Sequence, residues 1–234
     1  LPGGFAGYLG GFFTQLFYDS FLGALGLSFL LVVLQRFVLD ATYHIAHKPL
    51  YLFLTCIPSL CYGLVLCNED MLVAGLVALI LSMSAIFIYN RIGKFAYRKV
   101  YCILMIPALY WFAGVTTLTF PLYILLREWM RKDKVNTEKI LRLTFSAILI
   151  CGFCPYMAKE IMQFYPIERF WLAGNYYRFV INFPVILIVI FLLTAILPFI
   201  LICLPDVISK TKRMTIKGLQ LLLLFLIAIL GVVM

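Results

Sequence analysis

Residues 100–126 read VYCILMIPALYWFAGVTTLTFPLYILL, and this stretch decides the fold that we predict for the chain. As a single helix its 27 residues would be about 40 Å long, whereas the hydrocarbon core of a membrane is about 30 Å thick. Pro107, Gly114 and Pro121 interrupt the stretch, and three threonines follow Gly114. Two interpretations are open: one long, tilted and kinked helix, or a hairpin of two half-length helices whose tip is residues 113–117.

The composition of the whole chain explains why a membrane thickness is the relevant length. Of the 234 residues, 65% are apolar and 12% are charged, and the mean hydropathy is +1.06. Soluble domains are about half apolar and about a quarter charged. We therefore predict a polytopic membrane protein, in preference to a soluble enzyme, a disordered tail or a secreted disulfide scaffold.

Apolar runs of the length that crosses a membrane, about 17 to 25 residues, recur along the chain. We predict an all-α polytopic helical membrane bundle with about six full spans, one shallow helical hairpin (100–126) and an N-terminal amphipathic helix on the outer face. The bundle forms a single transmembrane domain over residues 1–234, which we expect to be a fragment of a longer chain. The runs are 20–38, 50–67, 71–89, 100–126, 140–157, 185–204 and 218–234.

The distribution of basic residues favours the hairpin over the kinked helix. The chain has 19 Lys and Arg against 10 Asp and Glu, which gives a net charge of +9. If every run crosses once, the two sides of the membrane receive 9 and 10 basic residues, whereas a hairpin at 100–126 changes the split to 16 and 3. Because Lys and Arg concentrate in short cytoplasmic loops, the surplus predicts an orientation. No nucleic-acid partner is needed to explain it.

The first residues have the periodicity of an amphipathic helix. Their apolar side chains recur at helical spacing, and Gly3, Gly7 and Gly11 lie at four-residue intervals on the other side. Glycine disfavours helix formation in water, so this ridge predicts close approach to another helix. The apolar stripe consists of Phe5, Tyr8, Leu9, Phe12, Phe13, Leu16 and Phe17.

The same region carries a family resemblance. Residues 2–18 (PGGFAGYLGGFFTQLFY) and 21–25 (FLGAL) resemble the start of an uncharacterised, domain-of-unknown-function family of bacterial polytopic inner-membrane proteins. Weaker likeness occurs at 110–114 and 176–178, and Asp19-Ser20 departs from the aromatic-proline pair usual in the family. The resemblance implies an upstream spanning helix and a downstream soluble helical region, and it implies no activity.

Together the resemblance and the charge pattern predict a multi-pass protein of the bacterial inner (cytoplasmic) membrane. Its partner is then the lipid bilayer, including an anionic or isoprenoid-linked lipid. We predict that loops 41–49, 90–99, 127–139 and 205–217 are cytoplasmic and that 1–19, 68–70 and 158–184 are external.

A looser architectural similarity connects the chain with integral-membrane glycosyltransferases that use lipid-linked sugars. Those enzymes place an acidic residue and an amphipathic helix in the first external loop, which implies Asp19 as a catalytic residue here, although their usual acidic pair is absent. The outer loop 158–184 adds arginines that suit a phosphate and aromatic rings that suit a sugar or an isoprenoid. An interfacial aromatic belt is the simpler interpretation. The predicted substrate-binding residues are Lys159, Arg169, Trp171, Tyr177 and Arg178.

Two further patterns have known chemistry at their spacing. Cys151 and Cys154 form a C-x-x-C pair, which is the spacing of thiol oxidoreductases, although cysteine is also a common small residue of apolar helices. His44 and His47 are three residues apart without a cluster of further ligands, so we interpret them as a solvated pair and predict no metal site and no cofactor.

Three functional hypotheses follow, and the sequence leaves open whether the protein is an enzyme. The first is a membrane protein of unknown activity that acts as the scaffold of a larger chain. The second is a glycosyltransferase that acts on a lipid-linked sugar at the outer face. The third is a membrane thiol oxidoreductase that uses Cys151 and Cys154.

Overall fold

The structure, a computed structural model, describes residues 1–44, 54–130, 137–163, 168–171, 176 and 185–203. All regular elements of these residues are helical, which confirms the predicted all-α class. Short 3₁₀ segments follow α1, precede α3 and join α5 to α6. The helices are α1 (Gly4–Gln15), α2 (Ser20–Tyr43), α3 (Ile57–Val65), α4 (Val73–Arg91), α5 (Phe95–Ala113), α6 (Thr119–Met130), α7 (Thr137–Ile161), α8 (Glu168–Trp171) and α9 (Val185–Cys203).

Helix α4 occupies the centre of the bundle because it is apolar around nearly its whole circumference. Most of its residues are buried, and α1, α2, α5 and α6 pack around it. We name the two ends of the bundle after this helix, the Val73 end and the Arg91 end. Helix α2 runs parallel to α4, since Phe37 packs edge-on against Phe87 with ring centroids 5.4 Å apart and Asp40 pairs with Arg91.

Helices α5 and α6 form an antiparallel hairpin, as the charge distribution predicts. The Arg98 guanidinium and the Glu128 carboxylate are 3.7 Å apart. One continuous helix would separate these two residues by about 45 Å. The chain reverses at Gly114, whose φ of 67° and ψ of −135° are a conformation that favours glycine. The 3₁₀ turn Gly114–Leu118 begins at this residue and overlaps the predicted tip, residues 113–117.

The predicted number of full membrane crossings is not confirmed. Three helical segments are long and apolar enough to cross a membrane, namely Ser20–Tyr43, Val73–Arg91 and Phe95–Met130, and the last of these is the hairpin. Leu54–Val65 and Val185–Leu201 are shorter apolar helices. The predicted span 218–234 and the loop 205–217 lie outside the described residues. About six full spans therefore stay a prediction.

The face of α1 that packs against the bundle agrees with the predicted glycine ridge only at Gly3, which is buried and donates its backbone N–H to the Trp111 carbonyl at 2.9 Å. Ala6 and Gly10 are buried, and a Cβ added at Gly10 would lie 2.5 Å from the Cα of Ala74. A Cβ at Gly7 or Gly11 would meet no described neighbour within 4 Å, so the close approach predicted there is wrong. The helix presents its adjacent small-residue face because Ala74 leaves no room for a larger side chain. Leu9 and Phe13 of the predicted stripe pack against the core, whereas Phe5, Tyr8, Phe12 and Phe17 are exposed.

Candidate functional site

Charged and polar side chains from α2, α4, α5 and α6 meet at the Arg91 end, where the two arms of the hairpin open. Several of them are almost completely buried although the helices around them are apolar. A buried polar group is costly unless it is hydrogen-bonded, so each of these side chains needs a partner. We call this set the mouth cluster: Asp40, Tyr89, Asn90, Arg91, Arg98, Tyr123, Arg127 and Glu128.

Glu128 is the buried carboxylate of the mouth cluster, with 3% of its surface exposed. The Tyr89 hydroxyl donates a hydrogen bond of 2.9 Å to its Oε1, and the Arg98 guanidinium lies 3.7 Å from the same oxygen. Arg98 also donates from Nε to the carbonyl of Ile92 at 2.6 Å. The ion pair thus ties the two arms of the hairpin to each other, and the tyrosine ties both arms to α4.

A second group of the mouth cluster is centred on Asn90. Its side-chain amide donates to the Tyr123 hydroxyl at 3.1 Å, and that hydroxyl donates to the Ala41 carbonyl at 3.1 Å. Arg127 donates to the Asn90 side-chain oxygen, and its guanidinium carbon lies 5.4 Å from the centroid of the Tyr89 ring. These contacts join α6, α4 and α2.

The outermost pair of the mouth cluster is exposed on one side. Both terminal nitrogens of Arg91 contact the Asp40 carboxylate, at 3.1 and 3.3 Å, and the guanidinium lies 3.3 Å from the centroid of the Phe87 ring. The His44 imidazole is 3.6 Å from the same carboxylate. His47 lies outside the described residues. This pair connects the ends of α2 and α4.

The hairpin tip carries hydroxyl groups beside the middle of α4. Ser82 donates to Thr116 at 3.2 Å, and Thr116 donates to the Ala113 carbonyl at 3.0 Å. Thr119 donates to the Thr116 carbonyl at 2.8 Å. The hydroxyl of Thr117 is buried and has no hydrogen-bond partner within the described part of the chain.

Two residues of the predicted outer loop attach to this tip region. The Tyr110 hydroxyl of α5 donates to the Phe170 carbonyl at 2.7 Å, and the Tyr176 hydroxyl donates to the Ala113 carbonyl. The Tyr176 carbonyl accepts a hydrogen bond of 2.8 Å from the backbone N–H of Leu72. Burial raises the pKa of the Tyr176 phenol above its ordinary value, so the phenol stays protonated and able to donate.

The residues predicted to bind a lipid-linked sugar are only partly described. Asp19 caps α2, because its carboxylate accepts the backbone N–H groups of Phe21 at 2.8 Å and Leu22 at 3.3 Å. Lys159 lies in the last turn of α7, and Trp171 is 54% exposed in α8. No hydrogen bond or ion pair among the described residues joins these three. Arg169 is described only as part of α8, and Tyr177 and Arg178 lie outside the described residues.

The two cysteines of the C-x-x-C pair are free thiols in α7. Both are partly buried, and Cys154 packs against the small cluster formed by Tyr110, Ala158 and Phe170. Among the described residues, no group of three His, Cys, Asp or Glu side chains could hold a metal ion.

The sequence does not predict the mouth cluster, because orientation alone explains the basic residues of loops 90–99 and 127–139. One signal was available: Glu128 is the first acidic residue after Asp70, and it follows an apolar stretch whose other end carries Arg98. Once 100–126 is interpreted as a hairpin, the two charges are expected at the same end. The burial of Tyr89 and Tyr123 beside them has no such signal.

Comparisons with known proteins identify a family and no characterised relative. A comparison with curated proteins and one with solved structures give no match. The family model described as "Family of unknown function (DUF6057)" matches residues 1–230. This match confirms the resemblance to an uncharacterised family that residues 2–25 carry. The chain belongs to the family of unknown function DUF6057.

Proposed function

We propose that the chain is a multi-pass protein of the bacterial inner membrane whose helical bundle is the membrane-embedded scaffold of a larger protein. The observation that supports this function is the mouth cluster, in which buried polar groups pair with one another across four helices. In an apolar surrounding such pairs disfavour other helix arrangements, because any shift leaves a buried charge or hydroxyl without its partner. Fixing one arrangement of helices is what a scaffold requires.

The charge asymmetry of the described residues supports the cytoplasmic orientation of the Arg91 end. Arg91, Lys94 and Lys99 lie there on exposed positions, whereas the turn before the Val73 end carries Glu69 and Asp70. Under the positive-inside rule this end faces the cytoplasm and the hairpin enters from that side. The proposal keeps about six full crossings and treats 95–130 as a hairpin that returns to the side it enters from.

Replacing the buried ion pair by apolar residues tests the scaffold role. The single variant E128L removes the carboxylate that the buried Arg98 contacts and is expected to lose about 3–5 kcal/mol of stability. The double variant R98M/E128L removes both charges and is expected to regain most of that loss. The measurement is thermal unfolding of the full chain in detergent.

The same double variant separates a scaffold from a reacting centre. A scaffold needs only the helix arrangement, so folded R98M/E128L should complement a strain that lacks the gene as well as the parent does. If the double variant is as stable as the parent but fails to complement, the mouth cluster has a chemical role and the scaffold proposal is wrong.

A second candidate function is transfer of a lipid-linked sugar at the outer face. Attachment of Phe170 and Tyr176 to the hairpin tip supports it, because these contacts hold the outer segment against the bundle and leave Trp171 exposed. In this candidate Asp19 acts as a base, and Lys159 with Arg169 and Arg178 contacts phosphate. The exposed carboxylate of Asp19 already caps α2, so its role as a cap must be separated from any role as a base.

Asn and Ala replacements of Asp19 make that separation. Asn caps helices about as well as Asp but is not a base, so D19N should keep the parent's stability while D19A loses about 1 kcal/mol. If Asp19 is catalytic, D19N changes the pools of lipid-linked glycans in cells, and the matched exposed variant D70N does not. Unchanged pools in D19N would show that Asp19 is a helix cap alone.

A further inference from the structure

Arg127 places a positive charge at the mouth of the hairpin. Its guanidinium is half-buried and is held by the Asn90 side chain and the face of the Tyr89 ring. No carboxylate among the described residues pairs with it. A guanidinium has five N–H donors in a planar fork, and the single bond to Asn90 leaves most of them available.

The other charges of the mouth cluster balance one another and leave none to balance Arg127. Within the mouth cluster the three arginines face two carboxylates, and both carboxylates are already engaged, Glu128 by Arg98 and Asp40 by Arg91. The guanidinium carbon of Arg98 lies 5.5 Å from the centroid of the same Tyr89 ring that Arg127 contacts. Because Glu128 is engaged by Arg98, no carboxylate of the mouth cluster is left for the guanidinium of Arg127.

Exposed aromatic residues flank this charge. Trp129 lies two residues after Arg127 in α6 and is 80% exposed, and Tyr97 lies in the first turn of α5 with 63% exposure and Lys94 above its ring. Trp and Tyr at exposed positions near the ends of apolar helices are typical of the level of lipid headgroups. At that level the available anion is a phosphate group.

We propose that Arg127, held by Asn90 and Tyr89, is a binding site for a phosphate-bearing anion at the mouth of the hairpin. The headgroup of an anionic phospholipid and a free phosphate share this chemistry. The inference relies on the proposed membrane placement, but it does not require the scaffold role. The guanidinium N–H groups of Arg127 donate to the phosphate oxygens. The bound anion neutralises the positive charge that Asp40 and Glu128 do not balance.

Lipid titration of the purified full chain tests the site. The protein in a non-ionic detergent is titrated with dioleoylphosphatidylglycerol, with dioleoylphosphatidylcholine and with sodium phosphate, and the unfolding temperature is recorded. A ligand that binds the folded chain raises this temperature with its concentration. The neutral detergent has no surface charge of its own, and the part of the stabilisation that R127Q loses and K99Q keeps belongs to the site.

The variants R127Q and R127K identify the residue responsible, with K99Q as the matched control. R127Q should weaken the apparent affinity about fivefold or more, and R127K at least about threefold because Lys keeps the charge but loses the fork. Lys99 is exposed on the neighbouring arm, and K99Q should change the affinity less than about twofold. R127K keeps a cation of similar length, so its affinity still tests the site if R127Q fails to fold.

The three ligands separate the possible results. Stabilisation by phosphatidylglycerol but not by phosphatidylcholine or sodium phosphate assigns the site to an anionic lipid. Stabilisation by sodium phosphate, lost in R127Q, assigns it to a free phosphate. If neither anion stabilises the parent, or if K99Q loses as much affinity as R127Q, the proposal is wrong. Neither result depends on complementation by R98M/E128L, so a failure here is distinct from a failure of the scaffold proposal.

Discussion

At the scale of single residues, Gly10 is the position where α1 leaves no room for a side chain. A Cβ there would lie 2.5 Å from the Cα and 2.6 Å from the backbone nitrogen of Ala74. Backbone atoms cannot move aside as a flexible side chain does, so α1 must shift away from α4. We expect G10A to lower the free energy of unfolding by about 1–3 kcal/mol. Thermal unfolding of the full chain in detergent measures this loss.

Gly11 provides the matched control for this prediction. It lies in the same helix, and an added Cβ would meet no described neighbour within 4 Å. Because Ala favours helix formation over Gly by about 1 kcal/mol, G11A should leave the stability unchanged or raise it. Equal losses in G10A and G11A would contradict the packing of α1 on Ala74.

The sequence predicts that α1 packs closely through small residues, but not which ones. Gly3, Gly7 and Gly11 have regular spacing, whereas Ala6 and Gly10 form an adjacent stripe at the same interval. Both stripes satisfy the pattern, and the choice depends on where the small side chain of Ala74 lies in α4. The position of Ala74 relative to α1 is set by tertiary packing, so the sequence of α1 alone does not predict it.

At the scale of elements, the reversal between α5 and α6 depends on Gly114. Its φ of 67° and ψ of −135° lie in a region that a residue with a Cβ rarely adopts. We expect G114A to lower the free energy of unfolding by about 1–3 kcal/mol, measured in the same unfolding assay. Gly93, in the exposed turn before α5, has no positive φ, and an added Cβ would meet no described neighbour within 4 Å. The variant G93A should therefore change stability by less than about 0.5 kcal/mol. A G114A variant as stable as the parent would mean that the turn does not need this conformation.

The hairpin could be predicted from the sequence, but the cluster at its mouth could not. Counting Lys and Arg on each side depends only on where the chain crosses, so a 16 to 3 split is visible without a structure. Pairing Arg98 with Glu128 also requires the lengths of both arms and the turn at Gly114. The contacts of the outer loop 158–184 could not be predicted from the sequence either. The contacts of Phe170 and Tyr176 with the tip region depend on how segments distant in sequence pack.

At the scale of the whole molecule, the hairpin and the proposed orientation make one joint prediction about sidedness. Lys94 precedes α5 and Trp129 lies near the end of α6, and both are exposed. A hairpin puts them on the same side of the membrane, whereas a single crossing of 95–130 puts them on opposite sides. Cys67, the exposed one of the six described free cysteines, lies before the Val73 end and is predicted to be external.

Labelling with a membrane-impermeant maleimide tests this arrangement in spheroplasts of a bacterial host. We expect the parent to be labelled at Cys67 in intact spheroplasts, and C67S to lose this label, which is the control for specificity. In the C67S background, K94C and W129C should each be labelled only after permeabilisation, because both lie at the cytoplasmic end under the positive-inside rule. If K94C and W129C label on opposite sides, residues 95–130 cross the membrane once. If both label in intact spheroplasts while Cys67 does not, the hairpin stands and the orientation is reversed, because the relative sidedness of the two arms does not depend on which end is cytoplasmic.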